Sequence, residues 1–187
     1  MAGTYTPPRL TLPVGERDHA QGPAEATVTL VEYGDYQCPY CGAAYPIVKR
    51  VQKEFGSGLR FVFRNFPITN AHPHAAWAAE TAEAAAAQGR FWEMHDFLYE
   101  HQRSLGEEAP FAREEARLKL DVPRLAREVA AAAYAPRIEE DYMSGVRSGV
   151  NGTPTFFIDG VRYDGYPEFD PIVAALRAAS SAPRRRK

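Results

Sequence analysis

The alternation of apolar and polar positions predicts two strands joined by a helix near the start of the chain. Residues 26–33 (ATVTLVEY) alternate and then become almost continuously apolar, which is typical of a buried strand. A helix is expected from Cys38, because Pro39 suits the first turn and apolar residues follow at helical spacing as far as Val51. Residues 59–65 (LRFVFRN) alternate again. The order strand, helix, strand is the unit that forms a parallel pair.

Between residues 69 and 145 the pattern changes to alanine-rich helical periodicity, which predicts an all-helical insertion. Asn70 is a candidate N-cap for a helix over residues 71–88, and Asp121 is one for a helix over residues 122–135. Because alanine is the strongest helix former, the alanine runs favour closely packed helices. The remaining helical patterns cover residues 91–102, 111–120 and 136–145.

A strand, a two-residue turn and a second strand are predicted after the insertion. Apolar runs over residues 155–158 and 161–163 flank Asp159-Gly160, which is a strong signal for a β-hairpin. Residues 168–179 carry apolar side chains on one helical face and predict a final helix. The hairpin and this helix resume the α/β framework that the insertion interrupts.

The two ends of the chain lack these patterns. Residues 1–21 are rich in proline, glycine and threonine, and we expect an irregular arm with one short edge strand near residues 9–13. Residues 181–187 are expected to form a disordered basic tail. The first twenty residues lack the apolar core of a secretion signal, so we expect a cytoplasmic location.

Composition narrows the classes of function. Of 187 residues, 45% are hydrophobic and 25% are charged, which is ordinary for a folded domain. The 22 basic and 24 acidic residues give a net charge of −2, so we expect no nucleic-acid partner. No stretch approaches the ~20 consecutive apolar residues that span a bilayer, so we expect no membrane span.

The chain's two cysteines, Cys38 and Cys41, have the spacing C-x-x-C. Unpaired N–H groups at the start of a helix favour a thiolate, and C-x-x-C positions lower a cysteine pKa to roughly 3.5–7.5. We therefore expect Cys38 to be a nucleophile and Cys41, one turn later, to close a disulfide with it. The alternatives are two small buried residues or half of a zinc site. His72 and His74 are candidate further ligands, but such residues more often open a helix, and we expect no metal.

Three segments carry a resemblance to a known family. The segment VEYGDYQCPYCGAAYPIVKRV resembles the active-site strand, loop and helix of the thioredoxin superfamily, in its DsbA-like branch. GVNGTPTFFIDGVRYDGYPEF is similar to the cis-proline loop and the following hairpin, and HPHAAWAAETAEAAAAQGRFWEMHDFLYE to the helical insertion of that branch. The resemblance spans about residues 19–180. It implies a discontinuous α/β thioredoxin-like domain over residues 22–68 and 146–180, with the insertion at 69–145.

The resemblance also implies roles for individual residues. Cys38 matches the attacking cysteine and Cys41 the resolving one. Pro154 matches a proline held cis beside the disulfide, and Thr153 the residue whose backbone meets the substrate chain. Glu32 matches a buried acidic residue. Burial would raise the pKa of its carboxyl, so that it could exchange a proton with Cys41.

The two residues between the cysteines depart from the strongly oxidising members, which carry Pro-His there. This chain has Pro39-Tyr40, the dipeptide of glutaredoxins. Because tyrosine cannot supply the charge of a histidinium, we expect a less oxidising couple than the roughly −120 mV of the strong oxidant. Pro39 and Tyr40 join Thr153 and Pro154 as candidate substrate-binding residues, and we expect Tyr36 and Tyr40 to form an apolar rim for a peptide.

The expected activity is thiol–disulfide exchange with protein or small-molecule disulfides, without a metal or organic cofactor. The expected partners are a disulfide-containing protein or peptide and a redox partner that the sequence does not identify, with glutathione as a candidate. Direction stays open, with a cytosolic reductase slightly favoured. The alternatives are a glutathione-dependent, glutaredoxin-like enzyme and a client-binding, chaperone-like module with incidental cysteines.

Overall fold

The computed structural model describes residues 5–181, which form a mixed five-stranded sheet and seven α-helices. The sheet order is β1-β3-β2-β4-β5. The strands are β1 (His19–Gln21), β2 (Val28–Gly34), β3 (Leu59–Asn65), β4 (Thr155–Ile158) and β5 (Val161–Tyr163). The helices are α1 (Pro39–Phe55), α2 (Ala75–Ala86), α3 (Phe91–Glu100), α4 (Glu108–Arg117), α5 (Val122–Ala130), α6 (Ala135–Arg147) and α7 (Phe169–Ser181).

The predicted β-α-β unit is confirmed at the centre of the sheet. Strands β2 and β3 pair in parallel from Val28 opposite Leu59 to Gly34 opposite Asn65. Strand β4 pairs antiparallel with β2 on its other side and continues into the hairpin with β5. Central strands are covered on both faces, which explains why their sequences are almost continuously apolar. The carboxyl ends of β2 and β3 point to one edge, where α1 begins.

Helix α1 begins after Cys38, which occupies the N-cap position, and Pro39 stands in the first turn as predicted. Its buried residues Cys41, Ala44, Val48 and Val51 face the sheet and α7. Pro46 lies inside the helix.

Five helices, α2 to α6, lie between β3 and β4, where the helical insertion was predicted. Helix α2 is narrow because it consists mostly of alanine, and most of its residues are buried against α3 and α5. The predicted cap of α5 is confirmed, since the Asp121 carboxylate accepts a hydrogen bond from Arg124 N. Among the described residues, no helix has both the length and the apolar character to cross a membrane.

The predicted start of α2 is wrong. The helix begins at Ala75 rather than at residue 71, and Asn70 does not cap it. The N–H groups of Ala71 and His72 both donate to Ile68 O, so this segment forms a tight turn instead of a helical turn.

The N-terminal arm also differs from the prediction. The expected edge strand near residues 9–13 is reduced to a single bridge between Arg9 and Val161, and a regular strand, β1, lies later at His19–Gln21. Between them the chain wraps around the buried Arg64 guanidinium, which donates to Leu12 O and Pro13 O. Those carbonyls are therefore unavailable for sheet pairing.

The predicted hairpin is confirmed. Its two turn residues, Asp159 and Gly160, both have positive φ (47° and 76°), as the Asp-Gly dipeptide favours. The final helix is also confirmed, as Phe169–Ser181. The disordered tail was predicted over residues 181–187: Ser181 instead ends α7, which corrects the prediction there, and residues 182–187 lie outside the described residues.

Candidate active site

The two cysteines lie at the N-terminal end of α1, at the edge of the sheet where β2 ends. Both are free thiols and both are buried. The Cys38 Sγ lies 3.3 Å from the carbonyl oxygen of Thr153, to which it donates a hydrogen bond when the thiol is protonated. The Thr153–Pro154 peptide bond is cis. The structure therefore brings Cys38, Cys41, Thr153 and Pro154 together.

The two thiols differ in acidity. The pKa of Cys38 is lowered to about 5, chiefly by a hydrogen bond with the Cys41 thiol. Burial, the second-largest effect, opposes the shift, while a side-chain hydrogen bond with Thr153 and the backbone N–H groups of Cys41 and Tyr40 add to it. Burial, the same thiol–thiol hydrogen bond and the nearby Glu32 carboxyl raise the pKa of Cys41 well above its ordinary value. Cys38 is therefore the thiolate at neutral pH and Cys41 the thiol, as their positions in the helix predict.

Glu32 lies on β2 with 2% of its surface exposed. Burial, and secondarily the negative charge of Cys38, raises the pKa of its carboxyl to about 8. Its Oε1 has no hydrogen-bond partner among the described residues, and neither has the buried Tyr99 hydroxyl. The Phe63 ring and the Tyr99 hydroxyl together fill the space where Gly34 lacks a side chain, on the face of β2 that Glu32 also occupies. The expected burial of Glu32 is confirmed, and that burial raises the pKa of its carboxyl as expected.

The Asp35 carboxylate holds the active-site loop in place. Its carboxylate accepts hydrogen bonds from Gln37 N and Ile68 N and pairs with His72 Nδ1 at 2.7 Å. Its own N–H points to Cys41 Sγ at 3.5 Å. His72 therefore ties the segment before α2 to the loop. The backbone N–H of His74 makes a second link by donating to Gln37 Oε1 in that loop. Among residues 5–181, no group of three or more His, Cys, Asp or Glu could hold a metal.

The prediction that Tyr36 and Tyr40 form an exposed apolar rim is wrong for Tyr36. Tyr40 is 73% exposed beside Cys38, and Pro39 is also exposed, so both are accessible to a substrate. Tyr36, by contrast, is 1% exposed and forms a hydrogen bond with His95 Nδ1. It points into an aromatic cluster because the insertion packs over the loop. His95 is the core histidine that its helical face predicts, and burial lowers its pKa to about 3.

One residue at the site was not predicted from sequence. Gln102, in the short 3₁₀ turn after α3, donates from Nε2 to Tyr36 O and to Cys38 O, each at 2.8 Å. A lone glutamine in a polar stretch carries no local signal of such a contact. The closest indication is Gly42 after the second cysteine, which leaves room for another chain segment to approach.

The fold and the dithiol define a DsbA-like member of the thioredoxin superfamily with a helical insertion. A family profile described as thioredoxin matches residues 15–178, and the chain belongs to this family. A thioredoxin-like oxidoreductase from Silicibacter pomeroyi is similar in structure, with a TM-score of 0.74, 27% identity and coverage of 90% of this chain and 95% of that one. BdbD from Bacillus subtilis shares the fold with a TM-score of 0.80 at 21% identity, covering 95% and 97%.

Sequence relatives place the same domain in larger proteins. The chain is 46% identical over 178 residues to a protein of Salinispora tropica named Na(+)/H(+) antiporter NhaA 3. A second, from Herminiimonas arsenicoxydans, named Na(+)/H(+) antiporter NhaA, is 40% identical over 169 residues. These matches cover 95% and 90% of this chain, but 27% of each relative. The chain thus spans about a quarter of the length of these curated relatives.

Proposed function

We propose that the protein is a cytoplasmic thiol–disulfide oxidoreductase that reduces disulfide bonds in proteins or peptides. The observation that carries this proposal is the placement of the two cysteines at the start of α1, with Cys38 at the N-cap beside Thr153 O and Cys41 one turn later. The lowered pKa of Cys38 and the raised pKa of Cys41 agree with this arrangement. A thiolate is the nucleophile of disulfide exchange, and a neighbouring neutral thiol can resolve the product. The electrons come from this cysteine pair, so the proposal requires no cofactor.

The reaction divides into two exchanges. The Cys38 thiolate attacks one sulfur of the substrate disulfide, forms a mixed disulfide and releases the other sulfur as a thiolate. Cys41 then loses its proton and attacks Cys38 Sγ, which frees the second substrate sulfur and leaves a Cys38–Cys41 disulfide. Two electrons have passed to the substrate. A redox partner or glutathione returns the protein to the dithiol.

Glu32 is suited to take the proton of Cys41. The negative charge of Cys38 is one cause of its raised pKa. When Cys38 enters the mixed disulfide, that charge disappears and the pKa of Glu32 falls. The carboxyl can then ionise and accept the Cys41 proton when the second exchange needs it.

The dipeptide between the cysteines supports the direction of transfer. Thioredoxin combines a cysteine pKa of about 7 with about −270 mV, and the strong oxidant combines about 3.5 with about −120 mV. The Pro39-Tyr40 dipeptide is that of glutaredoxins, whose potentials of roughly −200 to −230 mV lie between these two values. A couple in that range lies near a cytosolic glutathione pool at roughly −220 to −260 mV, so the pool can return it to the dithiol. The dithiol is the form that a reductase needs.

The substrate is proposed to lie across the exposed Pro39 and Tyr40 and the loop at Thr153 and Pro154. The Thr153 carbonyl already contacts Cys38 Sγ. A substrate chain alongside this loop would place its disulfide next to the nucleophile.

The test is reduction of insulin by the pre-reduced protein, followed by thiol alkylation and mass measurement. We expect one Cys38–Cys41 disulfide for each insulin disulfide lost. Cys41→Ser should trap a mixed disulfide, and Cys38→Ala should abolish both products. Full turnover of Cys41→Ser with glutathione would instead indicate a glutaredoxin-like enzyme. Client binding that is unchanged in Cys38→Ala, without any exchange in the wild type, would indicate a binding module.

A further inference from the structure

Gln102, in the helical insertion, contacts the backbone carbonyl of the nucleophilic Cys38. Its Nε2 donates to Tyr36 O and Cys38 O, each at 2.8 Å. Cys38 O also accepts the first hydrogen bond of α1, from Gly42 N at 3.0 Å. One amide group from outside the β-α-β unit therefore joins the active-site loop to the N-terminus of the catalytic helix.

The orientation of this amide follows from chemistry. The NH₂ group has two hydrogens, one for each carbonyl, whereas the opposite orientation would place an amide oxygen 2.8 Å from two other oxygens. Only the donating orientation is attractive. Gln102 therefore presents positive partial charge to the carbonyl of Cys38, whose thiolate lies on the same residue.

The helix provides a space for this side chain. A Cβ at position 42 would lie 2.3 Å from Gln102 Oε1 and 2.9 Å from its Cδ, which is closer than atoms can approach. Gly42 does not have a positive φ, so backbone conformation does not require glycine here. Glycine is required because the Gln102 side chain approaches the helix so closely.

We propose that Gln102 is a positioning residue that fixes the Cys38 carbonyl and favours the thiolate form of Cys38. A carbonyl oxygen repels a nearby anion, and a donor bound to that oxygen reduces the repulsion. The other titratable groups facing Cys38 are Cys41 on α1 and Glu32 on β2. The Asp35 carboxylate is bound by His72 and two backbone N–H groups. The inference rests on the proposed function, because it concerns the reactivity of the same nucleophile.

Two substitutions remove this contact in independent ways. Gln102→Leu keeps a similar volume but has no donor. Gly42→Ala leaves Gln102 intact and displaces it, and the displaced group is the end of a flexible side chain. Alanine is also the better helix former, so Gly42→Ala should not destabilise α1. Gln88→Leu is the matched control, because Gln88 also bridges backbone groups of the insertion, at Asp121.

The measurement is the pH titration of Cys38 in the reduced proteins, followed by thiolate absorbance and by the rate of alkylation. We expect Gln102→Leu and Gly42→Ala each to raise the pKa of Cys38 by about half a unit, which is roughly a threefold change in acid dissociation constant. The double variant should equal either single variant, because both remove one contact. Gln88→Leu should titrate like the wild type.

An unchanged Cys38 titration in folded Gly42→Ala would overturn the inference, as would additive shifts in the double variant. If Gln102→Leu does not fold, Gly42→Ala decides alone. The titration needs no substrate, so it can succeed or fail independently of the proposed function. A wild-type protein that titrates as described but reduces no disulfide would refute only that function.

Discussion

Replacing Glu32 with glutamine should make the reduced protein more stable at neutral and alkaline pH. The side chain is 2% exposed, its Oε1 has no hydrogen-bond partner among the described residues, and its pKa is raised from 4.5 to about 8. The folded protein therefore keeps the carboxyl proton up to about pH 8, whereas the unfolded chain releases it above 4.5. Because the unfolded chain binds fewer protons in that window, stability falls as the pH rises through it.

The size of the effect follows from the same values. The pKa of Glu32 rises from 4.5 to about 8, which at about 1.4 kcal/mol per pH unit lowers the free energy of unfolding by about 5 kcal/mol once the pH exceeds 8. At pH 7 the loss amounts to about 3 kcal/mol. Glutamine has nearly the same shape and cannot ionise. Any cost of burying its amide is the same at every pH, so the pH-dependent part of the difference isolates the carboxyl. The lowered pKa of Cys38 acts with the opposite sign but is present in both proteins.

The assay is urea unfolding of the reduced wild type and Glu32→Gln at pH 5, 7 and 8.5. At pH 5 the carboxyl should contribute little to the difference in unfolding free energy between Glu32→Gln and the wild type. From there the difference should grow in favour of Glu32→Gln, by about 3 kcal/mol near pH 7 and by more at pH 8.5. Glu25→Gln, at an exposed position, is the control. A difference that stays constant across the three pH values would show that Glu32 is not held protonated by burial, and the reasoning would fail.

Three further predictions concern the nucleophile, the dipeptide and the core. The reduced protein should show a thiolate absorbance transition near pH 5 that is lost in Cys38→Ser; a midpoint near about 8.5 would contradict the assigned acidity. Tyr40→His should make the couple more oxidising in a glutathione equilibrium, since a histidinium favours the thiolate, and an unchanged potential would remove Tyr40 from the account. Asp18→Ala should cost about 3–5 kcal/mol of unfolding free energy, because it leaves the fully buried Arg64 guanidinium without its carboxylate. Arg177→Ala, at an exposed ion pair, should cost under about 1 kcal/mol, and equal losses at both sites would contradict the burial argument.

Local chemistry explains which elements could be predicted from sequence. The hairpin between β4 and β5 was predictable because Asp159-Gly160 suits its turn regardless of the surrounding fold. The start of α1 was predictable because Pro39 and the spacing of apolar residues agree. Asp121 caps α5 for an equally local reason, a side-chain oxygen on the N–H of the residue three positions later.

The errors all arise where a distant segment decides the local structure. Asn70 has the chemistry of a cap, but the segment turns early and His72 is held by Asp35 from the active-site loop. Tyr36 stands two residues before the nucleophile, yet the insertion covers it. Its hydroxyl forms a hydrogen bond with His95 in the core. The partners of such residues lie far away in sequence, and one sequence contains no information that pairs them.

The candidate site shows the same division. The acidity of Cys38 was predictable in direction from a helix N-terminus, but its largest cause is the hydrogen bond with Cys41, which depends on the geometry of the folded turn. Glu32, Thr153 and Pro154 were assigned only through the family resemblance. Gln102 was not predicted at all, because its role arises from packing of the insertion against α1.

The most direct test is to equilibrate the protein with defined ratios of reduced and oxidised glutathione and to measure the fraction that carries the Cys38–Cys41 disulfide. We expect a single two-electron transition at roughly −200 to −230 mV, the range of glutaredoxins, which share the Pro39-Tyr40 dipeptide. A potential near −120 mV, roughly that of the strong oxidant, would contradict the proposed reductase. If no Cys38–Cys41 disulfide forms at any ratio, the proposed redox function is wrong.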